Sequence, residues 1–273
     1  MILPTKKSEP VTNISDLSVL VYGAPKIGKS TWCSHTENAL FLETEPGLNN
    51  LEVFKQPVRS WKELLESMGE ITKGEHDFKT IVVDTVDNMY RLCTEHVLEG
   101  QQIEHESDLG YGKAWALVRN EFHRVLTKMA RMPYGLYLVS HAMQIEIDTR
   151  TGKQSRYQPT LPGKARETVV ALVDIILYCD IEPILQDGKP AGYRRVMRTK
   201  NNPYYEAGDR TGKLPETIPL DFGEFAKAFV NLKTKSETTK KLKTIEKQEP
   251  IELFSETETI KPTAKNGKKE KSK

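Results

Sequence analysis

The sequence contains little cysteine and no long apolar run, and both absences narrow the classes of protein to consider. Its cysteines, Cys33, Cys93 and Cys179, stand far apart and form no CxxC pair. This spacing argues against a zinc site and is typical of a protein in a reducing cytoplasm. The apolar runs are too short to span a bilayer, and no basic segment followed by an apolar one opens the chain. We therefore expect a cytoplasmic protein that does not associate with membranes.

The sequence also lacks a large net charge, because 40 Lys and Arg residues against 38 Asp and Glu residues leave a formal charge of +2. Any nucleic-acid site must therefore be a local patch. Large apolar residues become scarce after about residue 232, where Lys, Glu, Thr and Ser dominate. Such a segment cannot bury enough apolar surface to offset its loss of conformational entropy. We predict an N-terminal segment (1–16), one folded domain (17–232) and a disordered tail (233–273).

Apolar segments of strand length alternate with segments of helical periodicity along the predicted domain. The alternation predicts an α/β fold with a mostly parallel sheet flanked by helices and an antiparallel hairpin at one edge. In the helix 111–131, the spacing of Trp115, Val118 and Phe122 predicts one apolar stripe. The segment 144–163 is predicted to be a polar loop. The predicted strands are Leu17–Tyr22, Ala39–Thr44, Thr80–Asp84, Gly135–Ser140, Asp174–Leu185 and 193–200, and the predicted helices are 30–38, 60–72, 86–100, 111–131, 164–172 and 221–231.

A phosphate-binding pattern, G-x-x-x-x-G-K-[ST], occurs in full at GAPKIGKS, between a predicted strand and a predicted helix. Its glycines let backbone N–H groups wrap around phosphate oxygens, and the helix points its positive end at the same anion. Lys29 can reach the β- and γ-phosphates, and the Ser30 hydroxyl can bind Mg²⁺. We therefore predict ATP and Mg²⁺ as cofactors. The residues predicted to hold the nucleotide are Gly23, Ala24, Pro25, Lys26, Ile27, Gly28, Lys29, Ser30 and Thr31.

Carboxylates end two further predicted strands. Asp84 follows the apolar run Ile81–Val83, as a Walker B aspartate that holds Mg²⁺ does. The residue after it is Thr85 rather than a glutamate, so the water-activating carboxylate must come from elsewhere. The neighbouring strand ends in Glu-Thr-Glu, and we predict that Glu45 activates the water. Glu43, two residues earlier on the same strand end, remains the alternative.

These motifs, with LFLETEPGL, TIVVDTVDNMY, DLGYGKAW and DRTGKLPETI, resemble the RecA-like P-loop core over about residues 17–229. The narrower resemblance is to phage-encoded RecA-like ATPases of the Sak type, which act in single-strand annealing and recombination. It implies that Glu45 is the catalytic carboxylate and Asp84 the Mg²⁺ aspartate. It also implies that the fourth strand lies between the P-loop strand and the Walker B strand, so that Ser140 and His141 at its tip sense the γ-phosphate. RecA proteins usually have a glutamine where this chain has His141.

The loop after that tip binds single-stranded DNA in RecA proteins, and it corresponds here to Gln144–Gly163. It combines cations for phosphate with an aromatic side chain for base stacking. An earlier loop, about Glu104–Lys113, matches the first DNA-binding loop of RecA proteins by position, but it is acidic as well as polar. The residues predicted to contact single-stranded DNA are Arg150, Lys153, Arg156, Tyr157 and Lys164.

Arg198 and Lys200 alternate along the last predicted strand and would therefore point to one face. The resemblance implies that two such cations act catalytically by reaching the γ-phosphate of a neighbouring subunit, so that hydrolysis requires a homo-oligomer. Only about 16 residues precede the first predicted strand, and no folded domain is predicted after Phe229. We therefore expect a ring or short oligomer rather than a long filament.

The predicted function is that of a Mg²⁺-ATP-dependent, DNA-stimulated ATPase that binds single-stranded DNA and promotes annealing or strand exchange in phage recombination. Its location would be the cytoplasm of the bacterial host, and a single-strand-binding protein is a candidate partner. Three alternatives stay open. They are a phage replication motor or helicase loader, a nucleotide-gated assembly module with little turnover, and a P-loop kinase, which is disfavoured because no separate acceptor-binding domain is predicted.

Overall fold

This computed structural model describes residues 3, 5–7, 11, 13–110, 112–149 and 152–230. Its helices are α1 (Lys29–Cys33), α2 (Trp61–Lys73), α3 (Val86–Gln101), α4 (Lys113–Ala130), α5 (Gly163–Leu172) and α6, over 222–230. Its strands are β1 (Ser18–Gly23), β2 (Ala39–Glu43), β3 (Phe54–Pro57), β4 (Thr80–Asp84), β5 (Gly135–Thr149), β6 (Gly152–Pro159), β7 (Ile175–Gln186), β8 (Lys189–Arg198), β9 (Gly208–Asp209) and β10 (Thr217–Pro219). In these ranges, no helix is both long enough and apolar enough to cross a membrane.

The strands form one mixed sheet in the order β10-β8-β7-β1-β5-β4-β2-β3, with β6 paired to β5 and β9 paired to β7. The strands from β3 to β7 in this order pair in parallel, and β7 and β8 pair antiparallel at the other side. β5 lies between β1 and β4, which is the order that the resemblance implied. The predicted α/β fold, with a mostly parallel sheet and an antiparallel edge, is therefore confirmed.

Helices cover both faces of the sheet because the central strands are apolar on both sides. Val19 and Val21 of β1 belong to one buried cluster, together with Trp32 of α1 and side chains of α6. Leu20 and Tyr22 alternate with them and join a second cluster, to which α2, α3, α4 and α5 contribute. Runs that are buried on both faces are typical of parallel strands. This packing fixes the carboxyl ends of β1, β2, β4 and β5 at one edge of the sheet.

The predicted polar loop at 144–163 is wrong for most of its length. β5 continues to Thr149 and turns back into β6, with pairs running from Ala142 opposite Pro159 to Thr149 opposite Gly152. Met143, Ile145 and Ile147 alternate with polar residues, which is a strand pattern that the polar composition of the segment obscured.

Other differences are smaller. Trp115 is 51% exposed and does not join the buried stripe of α4. Helix α1 ends at Cys33, before the predicted residue 38, and β3 was not predicted because its FKQP sequence has no apolar pattern and is exposed. The predicted tail lies outside the described residues, so the domain bounds remain predictions.

Candidate nucleotide-binding site

The phosphate loop joins β1 to α1, and the structure explains why glycine is required at both of its motif positions. A Cβ atom on Gly23 would lie 2.7 Å from the carbonyl oxygen of Cys179, because β7 passes directly beside it. Gly28 caps the start of α1 with a left-handed φ of 116°, a conformation that residues with a Cβ rarely adopt. These glycines let the loop turn sharply over the end of β1 and direct the first turn of α1 toward the loop.

Lys29 is buried under this loop and only 6% exposed. Its Nζ donates hydrogen bonds to the carbonyl oxygens of Gly23 and Ala24, each at 3.0 Å. Desolvation lowers the pKa of the Lys29 ammonium. Two carbonyls compensate poorly for a buried positive charge, so an anion in the loop would gain a strong partner.

Ser30 and Asp84 place two hard oxygen ligands next to each other. Asp84 is buried at the end of β4, and this burial raises the pKa of its carboxyl group, while a hydrogen bond with Ser30 and the charge of Lys29 oppose the increase. Mg²⁺ is commonly held by one or two protein oxygens, with phosphates and water as its other ligands. The predicted pair therefore fits that metal when it is bound to a nucleotide. In the described ranges, no cluster of three or more His, Cys, Asp or Glu residues offers an all-protein site.

Glu45 faces Ser30 and Asp84 across a cavity of about 410 Å³. The Nε2 atom of His141, on β5, lies 3.1 Å from Oε1 of Glu45, and both side chains line the cavity. Residues that the sequence placed in different motifs therefore meet in one site. The cavity is lined by Pro25, Lys26, Gly28, Lys29, Ser30, Thr31, Glu45, Pro46, Gly47, Asn50, Leu51, Asp84, Thr85 and His141.

The alternative carboxylate, Glu43, has a different environment. Its Oε1 atom lies 3.1 Å from Nζ of Lys55 on β3, and Glu43 is not among the residues that line the cavity. Lys55 thus neutralises Glu43 at the sheet edge, whereas Glu45 remains beside the phosphate loop. This arrangement favours Glu45 as the water-activating residue.

Asp87, in the first turn of α3, was missed by the sequence analysis. Its carboxylate accepts hydrogen bonds from the Ser140 hydroxyl at 2.9 Å and from the backbone N–H of His141 at 3.0 Å. Burial raises the pKa of this carboxyl group. An acidic residue in a first helical turn is common because it stabilises the helix dipole, so its position alone does not indicate this contact. Asp87 anchors β5 at the point where His141 meets Glu45.

The two predicted trans-acting cations are paired within the chain. Arg198 forms ion pairs with Asp180 at 3.2 Å and Glu182 at 2.8 Å, and Lys200 pairs with Asp209 at 3.1 Å. β8 ends at Arg198, so the prediction that both cations alternate along one strand is wrong for Lys200. Neither side chain lines the cavity.

The predicted DNA-binding residues lie on two elements. Lys153 and Arg156 are on β6, where the exposed Lys153 pairs with Glu146 at 3.4 Å and the half-buried Arg156 donates a hydrogen bond to Asn201 at 2.9 Å. Lys164 is on α5 and pairs with Glu167 at 2.8 Å. Arg150 lies outside the described residues.

Tyr157 of β6 is not a free aromatic side chain. Its ring stacks on Tyr178 with centroids 5.5 Å apart, and Tyr178 stacks in turn on Tyr205. The ring remains partly exposed at the end of this stack. It therefore offers one open face at a fixed position.

Comparisons with known proteins give three similarities. The chain is 24% identical over 178 residues to the SPbeta prophage-derived uncharacterized protein YorG of Bacillus subtilis (strain 168), a match that spans 63% of this chain and 53% of that protein. The fold superposes loosely, with a TM-score of 0.41 and 13% identity, on a KaiC-like protein of Pyrococcus horikoshii OT3, covering 75% of this chain and 85% of the other. The family described as AAA domain matches residues 15–211, which is most of the chain. With its complete phosphate loop and Walker B strand, the chain belongs to this AAA domain family of P-loop ATPases.

Proposed function

We propose that the protein is a Mg²⁺-dependent ATPase whose turnover is stimulated by single-stranded DNA and serves annealing or strand exchange in phage recombination. The observation that carries the ATPase proposal is the convergence of Lys29, Asp84 and Glu45 on one cavity. The DNA and recombination parts have weaker support, which comes from the cations on β6 and the prophage origin of the relative in Bacillus subtilis.

Four residues of the cavity have parts in the proposed hydrolysis. Lys29 and the loop N–H groups hold the phosphates and offset the charge that develops on them. Ser30 and Asp84 hold Mg²⁺, which supplies further neutralisation of that charge. Glu45 orients the attacking water and accepts its proton. Nε2 of His141 lies 3.1 Å from Oε1 of Glu45, and this contact positions the carboxylate at the cavity.

The same strand links this cavity to the proposed DNA-binding surface. His141 lies in β5, which continues for eight more residues to Thr149 and pairs with the strand that carries Lys153 and Arg156. DNA bound to this hairpin would therefore contact the same two-stranded unit that includes β5, the strand that holds His141 against Glu45. This continuity supports a turnover rate that depends on DNA.

The first test is ATP hydrolysis by the purified chain, with and without single-stranded DNA, using Lys29→Ala as the negative control. Stimulation that the control lacks supports the proposal, and an annealing assay then distinguishes it from a replication motor or helicase loader, which would translocate or load. Hydrolysis that is indifferent to DNA would contradict the DNA part. Binding without turnover would favour a nucleotide-gated module.

Reversing the charge of Lys153 and Arg156 together, to glutamate, should weaken binding of single-stranded DNA at least tenfold at moderate salt. Two lost phosphate contacts reduce the slope of log affinity against log salt by roughly 1.4, because each contact contributes about 0.7. The measurement is fluorescence anisotropy over a salt series. The matched control is Lys62→Glu, an exposed lysine on α2. Unchanged DNA affinity with intact ATP binding would show that the hairpin is not the DNA site.

We also propose a homo-oligomer in which Arg198 and Lys200 serve the ATP site of a neighbouring subunit, after exchanging their contacts within the chain. Lys200→Ala should bind nucleotide normally but lose DNA-stimulated turnover. Mixing it with Lys29→Ala should restore part of the turnover. In a mixed oligomer, the Lys200→Ala subunit supplies an intact phosphate loop and the Lys29→Ala subunit supplies Lys200 to it. Failure of this complementation, or full stimulation of Lys200→Ala alone, would exclude the trans-acting role.

A further inference from the structure

β7 and β8 continue past the sheet edge as a two-stranded ribbon whose two faces differ. One face carries Asp180, Glu182, Arg194 and Arg198, which pair with one another, as in the contact of Arg194 with Glu182 at 2.6 Å. The register places Ile181 opposite Arg195 and Pro183 opposite Tyr193, on the other face. These four residues, Ile181, Pro183, Tyr193 and Arg195, form what we call the apolar ribbon face.

The apolar ribbon face stands against the phosphate loop. Nη1 of Arg195 donates a hydrogen bond to the carbonyl oxygen of Ile27 at 3.0 Å, across 168 residues of sequence. The same Nη1 atom lies 3.0 Å from the position that a Cβ on Gly28 would occupy. In the described part of the chain, Arg195 forms no ion pair with a carboxylate. Its role there is therefore to hold the ribbon to the loop.

The side chains beyond Arg195 leave apolar surface open to solvent. Tyr193 is 74% exposed and Ile181 is 54% exposed. The ion-paired face carries Ile184, which is 45% exposed, whereas the face with Tyr193 is the one whose Arg195 contacts the phosphate loop. Adjacent exposed apolar residues are typical of a surface that a ligand or partner covers.

The orientation of a bound triphosphate follows from the sheet order. Glu45, Asp84 and His141, which would face the γ-phosphate, come from the ends of β2, β4 and β5, all on one side of β1. β7 and β8 lie on the other side of β1. The nucleoside end of the molecule must therefore leave the loop toward the ribbon. Tyr193 is two residues beyond Arg195, which is about 7 Å farther along β8.

We propose that the apolar ribbon face is the nucleobase subsite, in which Tyr193 stacks on the base and Ile181 and Pro183 pack around it. Arg195 is the positioning residue that fixes this face beside the loop. Stacking favours the larger ring system, so the subsite prefers a purine nucleotide to a pyrimidine nucleotide. This inference rests on the proposed function in one respect, namely that the phosphate loop holds a nucleoside triphosphate.

The test compares the Mg²⁺ complexes of ATP, CTP and inorganic tripolyphosphate in calorimetric binding to the full chain. The wild-type protein should bind ATP about tenfold more tightly than tripolyphosphate, with CTP between them. Tyr193→Ala should reduce ATP affinity about fivefold to tenfold and leave tripolyphosphate affinity unchanged. Tyr193→Phe retains the ring and should retain the ATP affinity. Tyr204→Ala removes another exposed tyrosine, which lies outside the ribbon, and should have no effect.

The outcomes separate the subsite from the ATPase proposal. Equal wild-type affinity for ATP and tripolyphosphate, or unchanged ATP affinity in Tyr193→Ala, would overturn the subsite and leave the phosphate site standing. Parallel loss of ATP and tripolyphosphate binding in Tyr193→Ala would assign Tyr193 a structural role and also overturn the subsite. A wild-type protein that binds neither ligand would overturn both proposals.

Discussion

Lys29→Ala is expected to reduce ATP hydrolysis on the order of 10²- to 10³-fold and to weaken ATP binding. Lys29 is a buried cation of the phosphate loop, and its Nζ donates hydrogen bonds to the carbonyl oxygens of Gly23 and Ala24. A triphosphate would place further negative charge beside this ammonium, and the benefit would grow as negative charge moves onto the phosphate oxygens during the reaction. Alanine removes the charge and leaves the loop backbone in place.

The measurement is steady-state hydrolysis together with calorimetric binding of ATP. Thermal unfolding provides the control for folding. Because burial penalises the charged form of Lys29, we expect its removal to leave the unfolding temperature nearly unchanged. Hydrolysis by Lys29→Ala at the wild-type rate would mean that the phosphate loop is not the site of turnover.

The phosphate site was predictable because its signals are local. The GAPKIGKS motif lies between a strand and a helix, and Asp84 ends a short apolar run that can only be a buried strand. Neither inference needed information about distant parts of the chain. The sheet order, with β5 between β1 and β4, came from the resemblance and not from the residues.

The parts that could not be predicted depend on strand register and on partners far apart in the sequence. Glu43 and Glu45 are equivalent in the sequence, and the difference between them comes from Lys55 on β3, a strand without an apolar pattern. The contact of Arg195 with Ile27 depends on the pairing of β7 with β8. The β5–β6 hairpin was mispredicted for a different reason. The alternation of apolar and polar residues along β5 is present in the sequence, but the polar composition of the segment suggested a loop.

Glu45→Gln should reduce turnover on the order of 10²- to 10³-fold, while ATP binding stays within about threefold of the wild type. Glutamine preserves the size of the side chain and can still accept the contact from His141, but it cannot take a proton from water. A loss of kcat without a loss of binding is the result expected for a group that acts only in the transition state. Single-turnover hydrolysis with excess protein, alongside calorimetric ATP binding, measures the two quantities separately.

Glu43→Gln is the matched control, since the two carboxylates are two residues apart and Glu43 is paired with Lys55. Its turnover should stay near that of the wild type. If Glu43→Gln loses turnover and Glu45→Gln keeps it, the water-activating role belongs to Glu43, and β2 must rearrange when nucleotide binds. If both variants hydrolyse ATP at a low rate equal to that of the wild type, neither carboxylate activates water. The bound nucleotide would then act as a switch for assembly, because a site whose turnover does not depend on its carboxylates can still distinguish a loaded loop from an empty one.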